Sequence, residues 1–494
     1  MITYSLSKRE GSRRSFMRKY LKRHWAISVF LCVIFILLYL IIGAIAPFVH
    51  YKKISPETEA NTHVVEDVYN QNESVDRAKL LESNLSAWED RIRLFHMANE
   101  RIILSTFDMR EGNSTKDLAA VLLNKADEGV KISILVDGMN GWYRMHGNPF
   151  FYALSAHENI EIRFYNPLNL LSPWKTQGRM HDKYVIVDDY AYILGGRNTF
   201  DYFIGDYPTK GKSYDREVLI YNTKHGTEDR TSSLYQLEDY FNSVWNSKYC
   251  EKFGNKANKD VKKKTKEFEE HYKTLVTEKK EYFTDYDYAK DTVPTESVTL
   301  ISGDIGIYGK EPKVLYQLEQ LMLQAKQKVM IHTPYAVCND YMYEVLSNVD
   351  KQVPEVSMLL NSIENGDNIC ASSDYRINKE KVLKTGVTVY EYDGGTSYHG
   401  KSIVIDDDIS IVGSFNYDLR SVYMDTELMV AVRSKELTSE LTSYMLAMQN
   451  DSRKVINETD YEVPEHITVE ELPKKKEVIM KVLGRVEQLF RYLL

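Results

Sequence analysis

Cysteine is scarce in this chain: Cys32, Cys250, Cys338 and Cys370 are the only four in 494 residues, and none falls in a CxxC or Cys/His spacing. That excludes a zinc knuckle or a paired redox motif as the basis of its chemistry, and the scattered positions spell out no disulfide framework. A basic excess is missing too. With 63 Lys and Arg against 71 Asp and Glu, the formal net charge is -8, whereas non-specific nucleic-acid binding rests on cationic side chains that neutralise phosphates. A dedicated nucleic-acid binder is therefore disfavoured, and no nucleic-acid partner is expected.

Charge of either sign is absent between Arg23 and Lys52, and Trp25 to Phe48 is overwhelmingly apolar. A run of that length can cross a bilayer as a helix. A cleaved signal peptide is the competing reading, because Ala44-Ile45-Ala46 is a small-x-small site. Pro47 after the cut and the long basic region before the apolar run weigh against it. Lys8, Arg9, Arg13, Arg14, Arg18, Lys19, Lys22 and Arg23 precede the run, against Lys52, Lys53, Glu57 and Glu59 after it. The positive-inside bias then places residues 1–23 as a basic cytoplasmic tail, 24–50 as a transmembrane helix, and the remainder outside the cytoplasm at the cell membrane.

What the chain does contain is a globular composition, 43% hydrophobic, 27% charged and 12% aromatic, and a length that accommodates two cores of ordinary size. Residues 51–85 are polar without sustained periodicity and read as a spacer. Ser86 with Glu89 suggests a capping box before a helix carrying Trp88, Ile92 and Phe95. A strand at Ile102–Leu104, a helix over Asp117–Ala126 and a strand at Lys131–Val136 follow. The same order recurs with a helix around Leu315, Leu318 and Met322, a strand at Val329–Ile331, a helix after Asp340 and a strand at Val356–Leu360. Alternating helices and strands in duplicate predict two α/β units with buried sheets. Between them, residues 251–295 begin with a densely charged stretch that reads as an exposed helical connection.

Each half carries one polar cluster where a strand pattern meets a turn. RMHDKYVIVDDYAYILGGRN supplies His181, Lys183, Asp188 and Asn198; YHGKSIVIDDDISIVGSFN supplies His399, Lys401, Asp406 and Asn416. Both obey His-x-Lys-x4-Asp-x6-Gly-(Gly/Ser)-x-Asn. Residues two apart on a strand share a face, so His and Lys can address one phosphate. One such pair is often only a satisfied polar pair at a sheet edge. Two copies agreeing at six positions are not a product of packing.

This duplicated pattern resembles the signature of the phospholipase D superfamily. Within that superfamily RMHDK, GGRNTFDYF and GSFNYDLRSVYMDTE are similar to bacterial cardiolipin synthases, the C-type in particular. The resemblance covers about residues 86–450 and implies two phospholipase D-like α/β sandwich repeats, 86–250 and 296–450, related by a pseudo-twofold axis and sharing one active site. Residues 451–494 form a tail. The family's route is a phosphohistidine intermediate that needs no metal and no cofactor, with one histidine as nucleophile and the other as general acid and base. His181 is the expected nucleophile and His399 the acid, although the symmetry permits the reverse. Lys183, Lys401, Asn198 and Asn416 would hold the phosphoryl oxygens.

Superfamily histidines are oriented by a downstream carboxylate. Glu427, 28 positions beyond His399 (427 − 399), and Asp215, 34 beyond His181 (215 − 181), are the candidates, with Glu217 in reserve for the first half. Asp188 and Asp406 belong to the signature, but their parity turns them from the His-Lys side and suggests a structural role. The anchor favours a lipid substrate: phosphatidylglycerol or phosphatidylethanolamine as donor, with phosphatidylglycerol as acceptor giving cardiolipin. Hydrolysis to phosphatidic acid, and a tethered extracytoplasmic nuclease, are the alternatives. Near the C-terminus, Val478, Ile479, Val482, Leu483, Val486, Leu489, Phe490 and Leu493 fall on one helical face, suited either to a bilayer surface or to packing on the catalytic region. The oligomeric state is not legible.

Overall fold

The computed structural model describes residues 2–494 apart from 72, 255 and 470, with side chains from residue 24 onward; the side chains of the basic residues at 8–23 lie outside the described residues. The fold is mixed α/β, built on two nine-stranded sheets in which eight strands follow the same order and the ninth is added at opposite edges. Across the first, the strands run Val293–Pro294, Asp76–Leu81, Glu217–Asn222, Ala191–Gly195, Tyr184–Val187, Arg101–Thr106, Lys131–Asp137, Ile160–Tyr165 and Cys250–Lys252. Across the second, they run Ser297–Ser302, Leu428–Arg433, Ile409–Gly413, Ser402–Ile405, Lys328–His332, Glu355–Asn361, Thr388–Tyr392, Ser452–Val455 and Tyr461–Glu462. In each sheet three neighbouring strands are parallel, joined by helices, and the first strand of the hairpin that follows the His-Lys pair pairs antiparallel with one of them. The duplication read from the motifs is thus a duplication of strand order.

Burial explains why these strands are legible. Tyr184–Val187, Ala191–Gly195, Ser402–Ile405 and Ile409–Gly413 are buried at every position, because one face of each sheet packs on helices and the other packs toward the opposite sheet. Tyr184, Ile186, Tyr192, Leu194, Val218 and Ile220 of the first sheet share a core with Val404, Val412, Leu428, Val430 and Val432 of the second. That shared core fixes the two halves against each other, and the motif strands lie within it.

Several expectations are corrected. The helix predicted to start at a Ser86–Glu89 box is Asn84–Met97, capped by Ser83, whose side chain accepts from the Ser86 N–H while Ser86 reaches back. Serine at the third position fills the role assigned to glutamate. The segment 51–85 is not a bare spacer. The helix Val64–Tyr69 buries Val64 and Val68 in the core of the second half, and Asp76–Leu81 is a full strand of the first sheet. Two apolar residues one helical turn apart sufficed to dock a stretch too polar to show periodicity. The charged helix Lys259–Glu278 is exposed over most of its surface but buries Val261, Phe268 and Leu275, seven apart, in the first core.

The N-terminal helix runs Ile2–Ile45, and His24–Phe48 is long and apolar enough to cross a membrane by length and composition. At the other end, the helix Lys474–Glu487 docks through Met480, Gly484 and Glu487, while Val478, Ile479, Val482, Val486, Leu489 and Phe490 stay exposed. It packs on the catalytic region by a narrow edge, and its apolar stripe is left open.

Candidate active site

Each His-Lys pair lies in the extended residues just ahead of a motif strand, and each is tied across the molecule. Met180 forms a parallel bridge with Thr426, and Ser397–Tyr398 pairs in parallel with Ser213–Tyr214. The residue before each histidine therefore lies beside the residue before a carboxylate of the other half. The His181 N–H donates to the Thr426 carbonyl at 3.2 Å, and the His399 N–H to that of Tyr214 at 2.6 Å.

These bridges decide which carboxylate meets which ring. His181 Nδ1 lies 2.8 Å from a Glu427 carboxylate oxygen, and His399 Nδ1 lies 2.7 Å from Asp215 Oδ2. The pairing is crossed. Asp215, counted from His181, serves His399, and Glu427, counted from His399, serves His181. The within-half assignment made by spacing is overturned because the two motifs face one another. Glu217, the reserve candidate, touches neither histidine. It is fully buried between Arg91, which grips it with two guanidinium nitrogens at 2.8 and 2.6 Å, and Arg197 at 3.4 Å.

The two carboxylates are held differently. Glu427 accepts from Ser414 Oγ at 2.5 Å and Ser421 Oγ at 2.6 Å besides facing His181. Gly196 stands where the second copy has Ser414, and a Cβ there would strike the Asp215 carboxylate, so the Gly/Ser difference between the copies follows from the difference in acid. Burial raises Glu427 to about 7, against the nearby Lys183. Burial also pushes Asp215 upward, but Lys401 and His399 outweigh it and hold Asp215 well below the usual carboxylate range. Asp215 is thus the anion of the site, and Glu427 keeps a proton within reach of neutrality.

Burial, with Lys183 and Lys401 adding to it, depresses His181 well below its ordinary value; His399 is lowered by burial and Lys401, against the pull of Asp215. Charge on His399 and on Lys401 is felt at His181, and charge on Glu427 and Asp215 is felt at both lysines. Lys183 is brought down to about 7 by burial. The Lys183 ammonium donates to the His181 carbonyl and the Lys401 ammonium to the His399 carbonyl. Lys401 Nζ also lies 2.7 Å from His399 Nδ1. Asp215 Oδ1 accepts from the Arg216 N–H at 2.7 Å; a proton on His399 Nδ1 lets that nitrogen donate to Asp215 Oδ2 and leaves Nε2, 3.3 Å from Lys401 Nζ, as the atom that exchanges a proton. The edge of Phe107 packs on His181 with centroids 5.0 Å apart, and Phe203 packs on His399 at 5.2 Å.

Asn198 and Asn416 are both buried. Asn198 Oδ1 accepts from the Asp108 N–H at 3.2 Å, while Asn416 Oδ1 has no hydrogen-bond partner among the described residues. Asp188 and Asp406 stand apart from the histidine cluster. Each has a positive φ of 50° and closes the turn after its strand by accepting three backbone N–H groups: Asn99, Glu100 and Arg101 on Asp188, and Lys326, Gln327 and Lys328 on Asp406.

Sequence reasoning missed Ser421, Thr426 and Arg216. Buried Arg216 pairs with Glu82 at 2.6 Å and reaches Ser402 Oγ of the other half at 2.7 Å. Its neighbour Asp215 had been singled out, but nothing in a single sequence marks an arginine as a bridge between repeats.

The family model described as "Cardiolipin synthase, PLD-like domain" matches residues 92–245 and 318–449. The chain is similar to an uncharacterised protein of Helicobacter pylori, 27% identical over 392 residues, covering 72% of this chain and 76% of the other. It is also similar to the major cardiolipin synthase ClsA of Bacillus subtilis, 26% identical over 383 residues, covering 76% and 69%. Among solved structures, phosphatidylserine synthase of Haemophilus influenzae overlays with a TM-score of 0.62 at 14% identity, covering 89% of this chain and 100% of that one, a likeness of fold.

Proposed function

The chain belongs to the cardiolipin synthase PLD-like domain family, and from that premise we propose that it is a membrane-anchored phosphatidyltransferase that makes cardiolipin. The observation that carries this reading is the crossed pair of imidazoles, each with its own carboxylate on Nδ1 and a lysine at hand. Two imidazoles beside one buried cationic cluster suit a two-step displacement at phosphorus.

His181 Nε2 attacks the phosphorus of the donor lipid. The N–P bond forms, the P–O bond to the headgroup alcohol breaks, and the departing oxygen takes its proton from His399. The hydroxyl of phosphatidylglycerol then gives its proton to His399 while its oxygen displaces His181, releasing cardiolipin. Asp215, held ionised, supports the charge on His399 during its protonated phase, which favours His399 as the acid. Lys183, Lys401, Asn198 and Asn416 stabilise the phosphoryl oxygens. Phosphatidylglycerol or phosphatidylethanolamine is the donor. The helix His24–Phe48 keeps the site at the lipid surface, with the N-terminus cytoplasmic and the catalytic region outside.

The test is to reconstitute the full chain in vesicles with labelled phosphatidylglycerol. Cardiolipin plus glycerol is expected, and His181→Ala and His399→Ala are each expected to lower the rate by about 10^3-fold or more. Phosphatidic acid as the sole product would make the enzyme a hydrolase, and normal turnover in either variant would overturn the shared site.

A further inference from the structure

The loop between the strand Ile160–Tyr165 and His181 has a polar base and an apolar tip. At its base, Asn166 Nδ2 donates to the carbonyls of Lys175 and Gly178 at 2.6 and 2.8 Å, and Arg179 binds Asp137 at 2.7 Å and the Asn166 carbonyl at 2.9 Å. At its tip, Leu170 is 61% exposed and Leu171 82%. Such exposed side chains need a cause.

The neighbour of this tip supplies one. Tyr39, inside the apolar helix, donates to the Leu171 carbonyl at 2.8 Å and packs edge-on to Trp174, with centroids 6.4 Å apart. Gly43 leaves no room for a Cβ against Pro173. Tyr39 lies nine positions before the end of the span at Phe48 (48 − 39). At 1.5 Å per residue, and allowing for the excess of this span over a 30 Å hydrocarbon core, the contact lies about 10 Å inside the hydrocarbon boundary.

We propose that residues 167–176 form a wedge that enters the acyl layer beside the anchor, with Leu170, Leu171 and Trp174 in contact with lipid. This rests on the reading that His24–Phe48 crosses the bilayer. Backbone entering lipid must have its polar groups satisfied internally, and four N–H groups of the loop are. The N–H of Leu171 donates to Asn169 Oδ1, that of Ser172 to the Asn169 carbonyl, that of Lys175 to Ser172 and that of Thr176 to Pro173, and Pro173 has no N–H to satisfy. Because the loop's base runs through Arg179 and Met180 into His181, its depth fixes the height of the catalytic histidine over the lipid phosphates.

The experiment has two readouts. Leu171→Cys, in the full chain with its four native cysteines replaced by alanine, is labelled with an environment-sensitive dye and reconstituted in vesicles carrying lipids brominated along the acyl chain. Blue-shifted, quenched emission is expected, and unquenched emission at the wavelength seen in water would overturn the wedge. In parallel, Leu170→Glu with Leu171→Glu is expected to cut turnover of bilayer phosphatidylglycerol by at least about tenfold, from lost apolar burial. Turnover of a monomeric short-chain phosphodiester should stay within about twofold. Equal losses on both substrates would mean that the loop merely supports the fold. If no lipid is turned over while the dye is quenched, the proposed activity fails and the wedge stands.

Discussion

Asp215 and Glu217 are two residues apart, both buried and both acidic, yet they do different things. Asp215→Asn removes the anion behind His399 while keeping shape, so turnover is expected to fall by roughly 10^3-fold with the unfolding midpoint little changed. Glu217→Gln takes from Arg91 and Arg197 the buried carboxylate that both pair with. A loss of about 3 kcal/mol in denaturant unfolding is expected there, and this contrast separates the site from its support. The acid Glu427, raised to about 7 by burial, becomes an anion as pH rises through that value, able to accept the Nδ1–H of neutral His181 and leave its Nε2 free to attack. A rising limb in kcat/KM near pH 7 is expected, and Glu427→Gln should flatten it. The order of the histidines is testable with a p-nitrophenyl phosphodiester, whose leaving group departs without a proton. His399→Ala is then expected to accumulate a covalent adduct on His181, seen by mass spectrometry; an adduct on His399 in the His181→Ala chain would reverse the assignment.

At the scale of elements, Asp406 is a strand-end clamp. Burial pushes its pKa up, and the N–H groups of Lys326, Lys328 and Gln327 outweigh burial and bring it below the ordinary value. A depressed folded pKa means that its contribution is present above the unfolded value of about 4 and lost as pH falls through the folded one. Asp406→Ala is expected to cost about 2 kcal/mol at pH 7, measured by unfolding at a series of pH values, with the difference from wild type shrinking below pH 4. The motif strands were legible because apolar runs bounded by turns survive any packing detail, as Tyr184–Val187 and Ser402–Ile405 do. The strand Asp76–Leu81 was not, since its outer residues are charged and its partner strand, Glu217–Asn222, lies far along the chain. Counting from each histidine named two carboxylates that do lie on the imidazoles, but in the opposite couples. Spacing along one copy carries no information about which copy it faces.

For the whole molecule, the shared core between the sheets makes the site a property of one intact chain. Mixing His181→Ala protein with His399→Ala protein is therefore expected to restore no activity, and recovery on mixing would show that halves exchange between chains. The exposed stripe of the C-terminal helix and the apolar N-terminal helix lie at opposite ends of the sequence, yet the terminal turn Gln488–Leu493 contacts the N-terminal helix, so both ends address the same side of the protein.

The crossed bonds also set a clock on biosynthesis. A ribosome delivers His181 early but its carboxylate only at residue 427 of 494, and the other imidazole not before residue 399. Neither crossed couple can close until residues 399 and 427 have been made. A chain stopped before residue 399 by a stalled ribosome has neither couple.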